Sequence, residues 1–298
     1  MQTEVNSYFF SIAGLVFNIH MPYRIRITEN FIPFLVNEEK NCIHVYINEV
    51  KKIHLNKEKL LSTQIPFSVY EDENGHFRIF HDHKENDREY AVGRILSADK
   101  EVINYLAENR KFFNESNNTF SHIAFEELLI RNNAVILHAS FINTEYGAVL
   151  FSGPSGIGKS TQAELWCKYR NAEQINGDKP ILKKDMDTWK AYGSPYAGSS
   201  KCWINKSSQV AVIVLLEQGN RCHIKKMRKK EAFCKVYEGL VVNSWNSAYV
   251  EKIATLVESI IEEVPVYHMT CTPDENAVDM LEGVLKGKKR DEYQRNSL

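Results

Sequence analysis

The sequence carries no excess of charge of either sign. Over 298 residues, 37 lysines and arginines face 38 aspartates and glutamates, a formal net charge of −1. That balance excludes a strongly basic nucleic-acid binder, and 43% hydrophobic residues exclude a solvated, disordered chain. Long apolar runs are missing too. The run near the start, Tyr8 to Phe17, is about ten residues against the ~20 that a membrane-spanning helix needs. No basic segment precedes it, so it reads as a buried strand and not as a signal peptide. The six cysteines, Cys42, Cys167, Cys202, Cys222, Cys234 and Cys271, form no CxxC pair. Their spacing fits neither a zinc site nor a disulfide scaffold, and free thiols in a reducing compartment are expected. Internal repeats and low-complexity tracts are absent. These exclusions point to a cytoplasmic chain with no nucleic-acid or membrane partner, long enough to bury a core without disulfide staples.

What is present divides into three parts: a β-rich region 1–118, an α/β domain 119–290 and a polar tail 291–298. In the first part Phe9–His20, Ile43–Ile47, Phe67–Glu71, Phe77–His81 and Tyr90–Leu96 are strand-like, rich in β-branched and aromatic residues. Asn74-Gly75 supplies a tight hairpin turn between two of them. The polar cluster Asn114–Thr119 breaks the pattern. A helix follows over Ser121–Arg131, with Ser121 as its cap. Strands are expected at Val135–Ile142, Ala148–Phe151, Val210–Leu216, Cys222–Lys226 and Val266–Met269. Helices are expected at Lys159–Tyr169, Lys229–Val241, Ala248–Val264 and Glu275–Leu285. That alternation indicates an α/β domain.

One motif carries chemistry. Gly153, Pro154, Ser155, Gly156, Ile157, Gly158, Lys159 and Ser160 match GxxxxGK[ST] without a mismatch. The glycines let successive backbone N–H groups point inward at phosphate oxygens, and the following helix adds its positive N-terminal end. Lys159, expected on an exposed loop, would reach the β- and γ-phosphates of ATP. The Ser160 hydroxyl would ligate Mg²⁺, with Thr161 extending the polar edge. An apolar strand precedes the loop and a helix follows it, the context this motif requires. Asp178, in Asn176-Gly177-Asp178-Lys179, is a candidate acid for Mg²⁺ or for a proton, although Asn-Gly-Asp is equally turn chemistry. Tyr192–Ser200 is rich in glycine and hydroxyls, with Ser199, Ser200 and Lys201 as possible donors. The basic run Lys225–Lys230 offers Arg228 as a possible γ-phosphate partner.

Leu137-His138-Ala139-Ser140, the loop Gly153–Thr161 and Asp178 together resemble the HPr kinase family, which shares its core with ATP-dependent phosphoenolpyruvate carboxykinase. The resemblance covers roughly 135–285 and implies a P-loop kinase core that uses ATP and Mg²⁺. It implies that His138 orients a catalytic Asp178, where the residues alone favour a satisfied core or edge histidine. It implies Ser160 and Asp178 as metal ligands, and a homo-oligomer. Where that family carries two adjacent acids, this chain reads Asp178-Lys179, and its first third is unlike the family's N-terminal domain. The expected function is transfer of the γ-phosphate to a serine-like hydroxyl of a protein or peptide, as in kinases of peptide-modification systems. Phosphorylation of a small hydroxylated metabolite, phosphorolysis of a phosphoprotein, and nucleotide-dependent peptide recognition stand as alternatives.

Overall fold

The computed structural model describes residues 6–37 and 41–295. The chain divides into two compact units, 1–131 with 244–246, and 132–243 with 247–298.

The first unit is built on an eight-stranded sheet of β1 (Asn6–Ile12), β2 (Leu15–Met21), β3 (Cys42–Val50), β4 (Lys59–Thr63), β5 (Phe67–Asp72), β6 (Gly75–Asp82), β7 (Arg88–Ser97) and β8 (Lys100–Leu106). Their order across the sheet is β1-β2-β3-β8-β7-β6-β5-β4. Helices α1 (Ser116–His122) and α2 (Phe125–Arg131) complete it. The expected single strand over Phe9–His20 is in fact a hairpin. It turns at Ala13 and Gly14, both at positive φ (54° and 70°), and Ile12 then faces Leu15. The apolar residues run straight through this turn, which conceals it from a pattern reading. The expected hairpin at Asn74-Gly75 is present, with Asp72 opposite Gly75.

The expected helix Ser121–Arg131 is two helices, and Ser121 lies inside α1, where its hydroxyl donates to the Asn118 carbonyl (2.7 Å). The break has a chemical cause. Both carboxylate oxygens of buried Glu101 accept the Ala124 amide (3.1 and 3.0 Å). Glu101 is also paired with buried Arg78. The polar cluster 114–119 is therefore not a boundary. It leads into α1, whose Phe120 packs on Phe10, Phe17 and Phe31 at ring-centroid distances of 5.2, 6.1 and 4.6 Å, and the first unit extends to Arg131.

The second unit adds β9 (Ala134–Ile136), β10 (Ala139–Thr144), β11 (Gly147–Ser152), α3 (Lys159–Arg170), β12 (Glu173–Asn176), β13 (Ile181–Asp185), β14 (Thr188–Tyr192), β15 (Ser207–Gln218), β16 (His223–Lys226), α4 (Lys229–Glu238), α5 (Ser247–Glu263), β17 (Val266–Cys271) and α6 (Glu275–Arg295). The sheet runs β12-β10-β11-β15-β14-β13-β9, and β17 joins β15 and β16. Strands β11, β15 and β17 are parallel, so their carboxyl ends, Ser152, Gln218 and Cys271, lie at one edge of the sheet. Val149, Phe151, Val212, Val214, Leu216 and Met269 bury one face against Ala163 and Trp166 of α3 and Ala277, Val278 and Leu281 of α6. Helices α4 and α5 pack on each other, and α5 meets β14 where the Trp189 indole donates to Ser259 Oγ (3.3 Å). The expected strand Val135–Ile142 is interrupted at Leu137-His138. Helix α6 continues past Leu285 to Arg295, so the charged stretch taken for a tail is helical as far as it is described; residues 296–298 lie outside the described residues.

One buried histidine makes the first unit sensitive to acid. His122 donates from Nδ1 to the Asn118 carbonyl (2.7 Å) and accepts the Tyr90 hydroxyl at Nε2 (2.7 Å), among the rings of Phe80 and Phe113. Burial, with Arg78 adding to it, pushes its pKa from 6.5 down to about 4. Below pH 6.5 the unfolded chain therefore binds a proton that the folded one refuses, and stability is lost as pH falls. His122 alone contributes a loss of about 3 kcal/mol between pH 6.5 and 4, opposed by Glu101, whose burial pushes its pKa up to about 7 so that it takes up its proton more readily in the fold. Hydrogen-exchange protection of β6–β8 amides against pH is the measurement. His122→Gln should remove this contribution, making the variant relatively more stable toward acid than the parent, and parallel curves for the two proteins would show that His122 makes none.

Candidate functional site

The site is assembled at the carboxyl edge of the parallel strands. The loop 153–158 leaves β11 at Ser152 and delivers the chain into α3. Gly153, Gly156 and Gly158 hold φ of 142°, 77° and 114°, a backbone that side-chain-bearing residues rarely adopt. No heavy atom lies within 4 Å of where a Cβ would stand on Gly156 or Gly158. Such glycines let a loop turn its backbone N–H groups inward, and here the loop leads into the positive end of a twelve-residue helix.

Lys159 is not the exposed loop lysine expected from the sequence, being only 8% exposed. Its ammonium donates to the carbonyls of Gly153 (2.9 Å) and Pro154 (3.0 Å) and to Nε2 of His138 (3.0 Å). A buried cation needs such acceptors to offset its lost hydration. The bond from Lys159 fixes the imidazole, because Nε2 must accept and Nδ1 is left to carry the proton. His138 Nδ1 lies 3.0 Å from Asp178 Oδ1. Burial lowers the His138 pKa and the Lys159 charge lowers it further; Lys179 adds to this and Asp178 opposes it. The imidazole is thus held neutral as a donor to the carboxylate. Burial likewise lowers the Lys159 pKa, against the pull of Asp178.

His138 owes its position to the interruption between β9 and β10. Leu137, His138 and Ala139 donate their amides to the carbonyls of Pro180 (3.1 Å), Gly239 (2.8 Å) and Asp178 (3.0 Å). These bonds take the place of a continuous ladder and turn the imidazole out at the end of β11, where Ser152 Oγ donates to the His138 carbonyl (2.9 Å).

Asp178 is held by a residue that the sequence reading passed over as a turn former. Asn176 is fully buried, and its Oδ1 accepts the amides of Asp178 (3.0 Å) and Lys179 (2.8 Å). Its Nδ2 donates to the carbonyls of Ser194 (3.0 Å) and Tyr196 (3.2 Å). The signal was present in Asn-Gly-Asp, where an Asn side chain bonds the backbone two residues on. Here both readings of that tripeptide hold, since the turn is what positions the acid. Gly177 is required by close approach, because a Cβ there would stand 1.8 Å from Ser200 Oγ. The stretch Tyr192–Ser200 packs on this turn. Ser200 Oγ is occupied with the Ala197 carbonyl (2.7 Å) and is not free as a substrate donor.

Arg228 does not join the group. Strand β16 runs antiparallel to β17, from His223 opposite Thr270 to Lys226 opposite Tyr267. The basic run therefore leads away from the edge that carries the loop, and Arg228 is exposed just before α4. Ser160 and Thr161 are exposed on the first turn of α3. Beside them a cleft of about 460 Å³ opens, lined by Ile157, Gly158, Thr161, Gln162, Asn220 and Thr272 among others.

Oxygen donors such as Ser160 and Asp178 suit Mg²⁺. Among the described residues, no three His, Cys, Asp or Glu side chains gather to hold a metal by themselves. A cation here would depend on oxygens brought by a bound phosphate. No helix among the described residues is long and apolar enough to cross a membrane.

No family model matches the chain, and no curated protein does. Among solved structures it is similar to the Hpr(Ser) kinase/phosphatase from Coxiella burnetii, with 13% sequence identity, a TM-score of 0.35, and coverage of 54% of this chain and 94% of that one. At that score the likeness says nothing about activity.

Proposed function

We propose that the second unit binds ATP with Mg²⁺ on the loop Gly153–Thr161 and transfers the γ-phosphoryl group to a serine-like hydroxyl of a protein or peptide. The observation that carries this reading is the hydrogen-bonded series Lys159–His138–Asp178, at 3.0 Å and 3.0 Å, beside an anion-accepting loop. The nucleotide supplies the transferable group, and the cation bound with it spreads the charge on its phosphates. The chain's own residues do the rest. Loop amides and the first turn of α3 bind phosphate oxygens, and Ser160 with Asp178 offers oxygens to the cation. Lys159 stabilises charge gathering on the transferring group. Asp178, aimed by His138, takes the proton from the acceptor hydroxyl as its oxygen attacks. A neutral His138 can aim the carboxylate without taking the acceptor's proton itself.

Removing the lysine tests the loop. Lys159→Ala should weaken ATP binding about tenfold or more, the worth of one charge-assisted hydrogen bond. Because the ammonium is buried against three acceptors, the variant should also lose about 1–3 kcal/mol of stability. Calorimetric titration with ATP and urea unfolding read the two effects separately. A folded variant with unchanged ATP affinity would rule out the loop as the nucleotide site.

The His138–Asp178 pair is tested by transfer of labelled γ-phosphate to serine-containing peptides. Asp178→Asn should lower transfer by ~10²-fold or more while ATP still binds. His138→Ala and Asp178→Ala should each remove most of the activity, and the double variant little more, because groups acting as one unit are strongly non-additive. Losses that multiply would mean the two act independently. Collapse of ATP affinity in Asp178→Asn, with recovery on added Mg²⁺, would make holding the cation the main role of Asp178 and overturn its assignment as the base.

A further inference from the structure

We propose that Cys222 and Cys271 form a reversible dithiol–disulfide pair that controls nucleotide access to the cleft beside the loop. The register places them together. In the antiparallel β16–β17 ladder His223 faces Thr270, and the same register continued one residue beyond the start of β16 would set Cys222 opposite Cys271. The ladder alternates between hydrogen-bonded and open pairs, and the Met227 amide donates to the Val266 carbonyl (2.9 Å). Counting back from that pair makes Cys222–Cys271 an open one. There the Cα atoms of a regular ladder stand about 4.5 Å apart with side chains at their closest. Disulfides need roughly 4.4–6.8 Å.

The side chains share a face as well. Cys222 and Ile224 pack on the same cluster as Met269 and Cys271, against α3 and α6. Cys222 Sγ is 3.1 Å from Thr272 Oγ1, the residue after Cys271.

The two thiols are unequal, which sets the order of reaction. Cys271 is buried, and burial, with Cys222 adding to it, raises its pKa to about 11. Cys222 is half-exposed and is the nucleophile. With a small disulfide such as oxidised glutathione as the oxidant, the Cys222 thiolate attacks one sulfur and expels one glutathione thiolate. Cys271 then loses its proton, attacks Cys222 Sγ in the mixed disulfide and expels the second. Two protein thiols are oxidised while one small disulfide is reduced to two thiols.

The bond would be felt in the cleft. Cys271 Sγ now accepts from Gln162 Nε2 (3.3 Å), which also donates to the Thr272 carbonyl (3.3 Å). Gln162 is 2% exposed, and its Oε1 already lacks a partner among the described residues. Drawing Cys271 Sγ toward Cys222 takes a second bond from this amide. It also shifts the Cys271–Thr272 wall that faces Gly158 and Thr161.

The gating half of this proposal rests on the nucleotide reading of the loop, and the experiment separates the two. The full chain is treated with oxidised glutathione, mapped by non-reducing peptide mass spectrometry, and titrated with a fluorescent ATP analogue before oxidation, after it, and after dithiothreitol. A Cys222–Cys271 link is expected. Affinity should be about tenfold weaker in the oxidised protein and restored by reduction, and Cys222→Ser should bind as the reduced protein does under all three conditions. Oxidation falling on Cys167 and Cys202 instead would overturn the pair. A Cys222–Cys271 link that leaves affinity unchanged would overturn the gating. If the reduced protein binds no nucleotide, the loop reading and the gating fail together, and the peptide map still decides the thiol pair by itself.

Discussion

The burial of one ammonium group organises the site. Lys159 stands at the edge of the sheet with 8% exposure and, among the described residues, no carboxylate in direct contact. Its charge is met by two carbonyls of its own loop and by the imidazole of His138. Each partner is fixed in turn. The carbonyls shape the loop from inside, and the imidazole must present Nε2 to the lysine and its proton to Asp178. Burial lowers the pKa of both Lys159 and His138, so the neutral imidazole is the form the surroundings favour. A phosphate entering the loop would compete with the two carbonyls for the lysine, and the pull on His138 would change with it. On the proposed reading, nucleotide binding and the aim of Asp178 are coupled through one side chain.

Precision behind that series comes from residues far apart in sequence. Asn176 spends its whole side-chain amide on the backbone of Asp178, Lys179, Ser194 and Tyr196. His138 is held by backbone from Pro180, Gly239 and Asp178 around it. A general base must be held within a fraction of an ångström, and fully satisfied buried polar groups do this better than a mobile loop does. This explains a turn that carries an acid yet packs as tightly as core, with no room for a Cβ at Gly177.

These arrangements were unevenly legible in the sequence. The loop was plain, because its glycines, lysine and flanking elements are local in the chain. The approach of His138 to Asp178 came from a resemblance, and the geometry brings the two together. What stayed hidden depends on contacts between distant residues. Nothing near Ile123-Ala124 tells that Glu101 will take the Ala124 amide and split one expected helix into two. The turn at Ala13-Gly14 lies inside a largely apolar run, so the pattern showed a strand and missed the reversal. Strands β12–β14 are short and carry charged residues, and pairing with β10, β15 and β9 makes them strands. Lys159 looked exposed because the motif describes a loop, and the carbonyls and imidazole that bury it are known only once the chain is folded.

The first turn of α3 joins the two features of the second unit. Lys159 and Gln162 are three residues apart, and the Gln162 amide bonds back to the Gly158 carbonyl (2.9 Å), so they move as one turn. Through Lys159 that turn holds the loop and His138. Through Gln162 it holds the end of β17 at Cys271 and Thr272. A change at Cys271 therefore need not cross the sheet to reach His138, because one helical turn carries both Gln162, bonded to Cys271, and Lys159, bonded to His138. The same path runs in reverse. On the proposals made for the loop and for the thiol pair, the state of Cys222–Cys271 and the occupancy of the loop would be linked reciprocally through this turn.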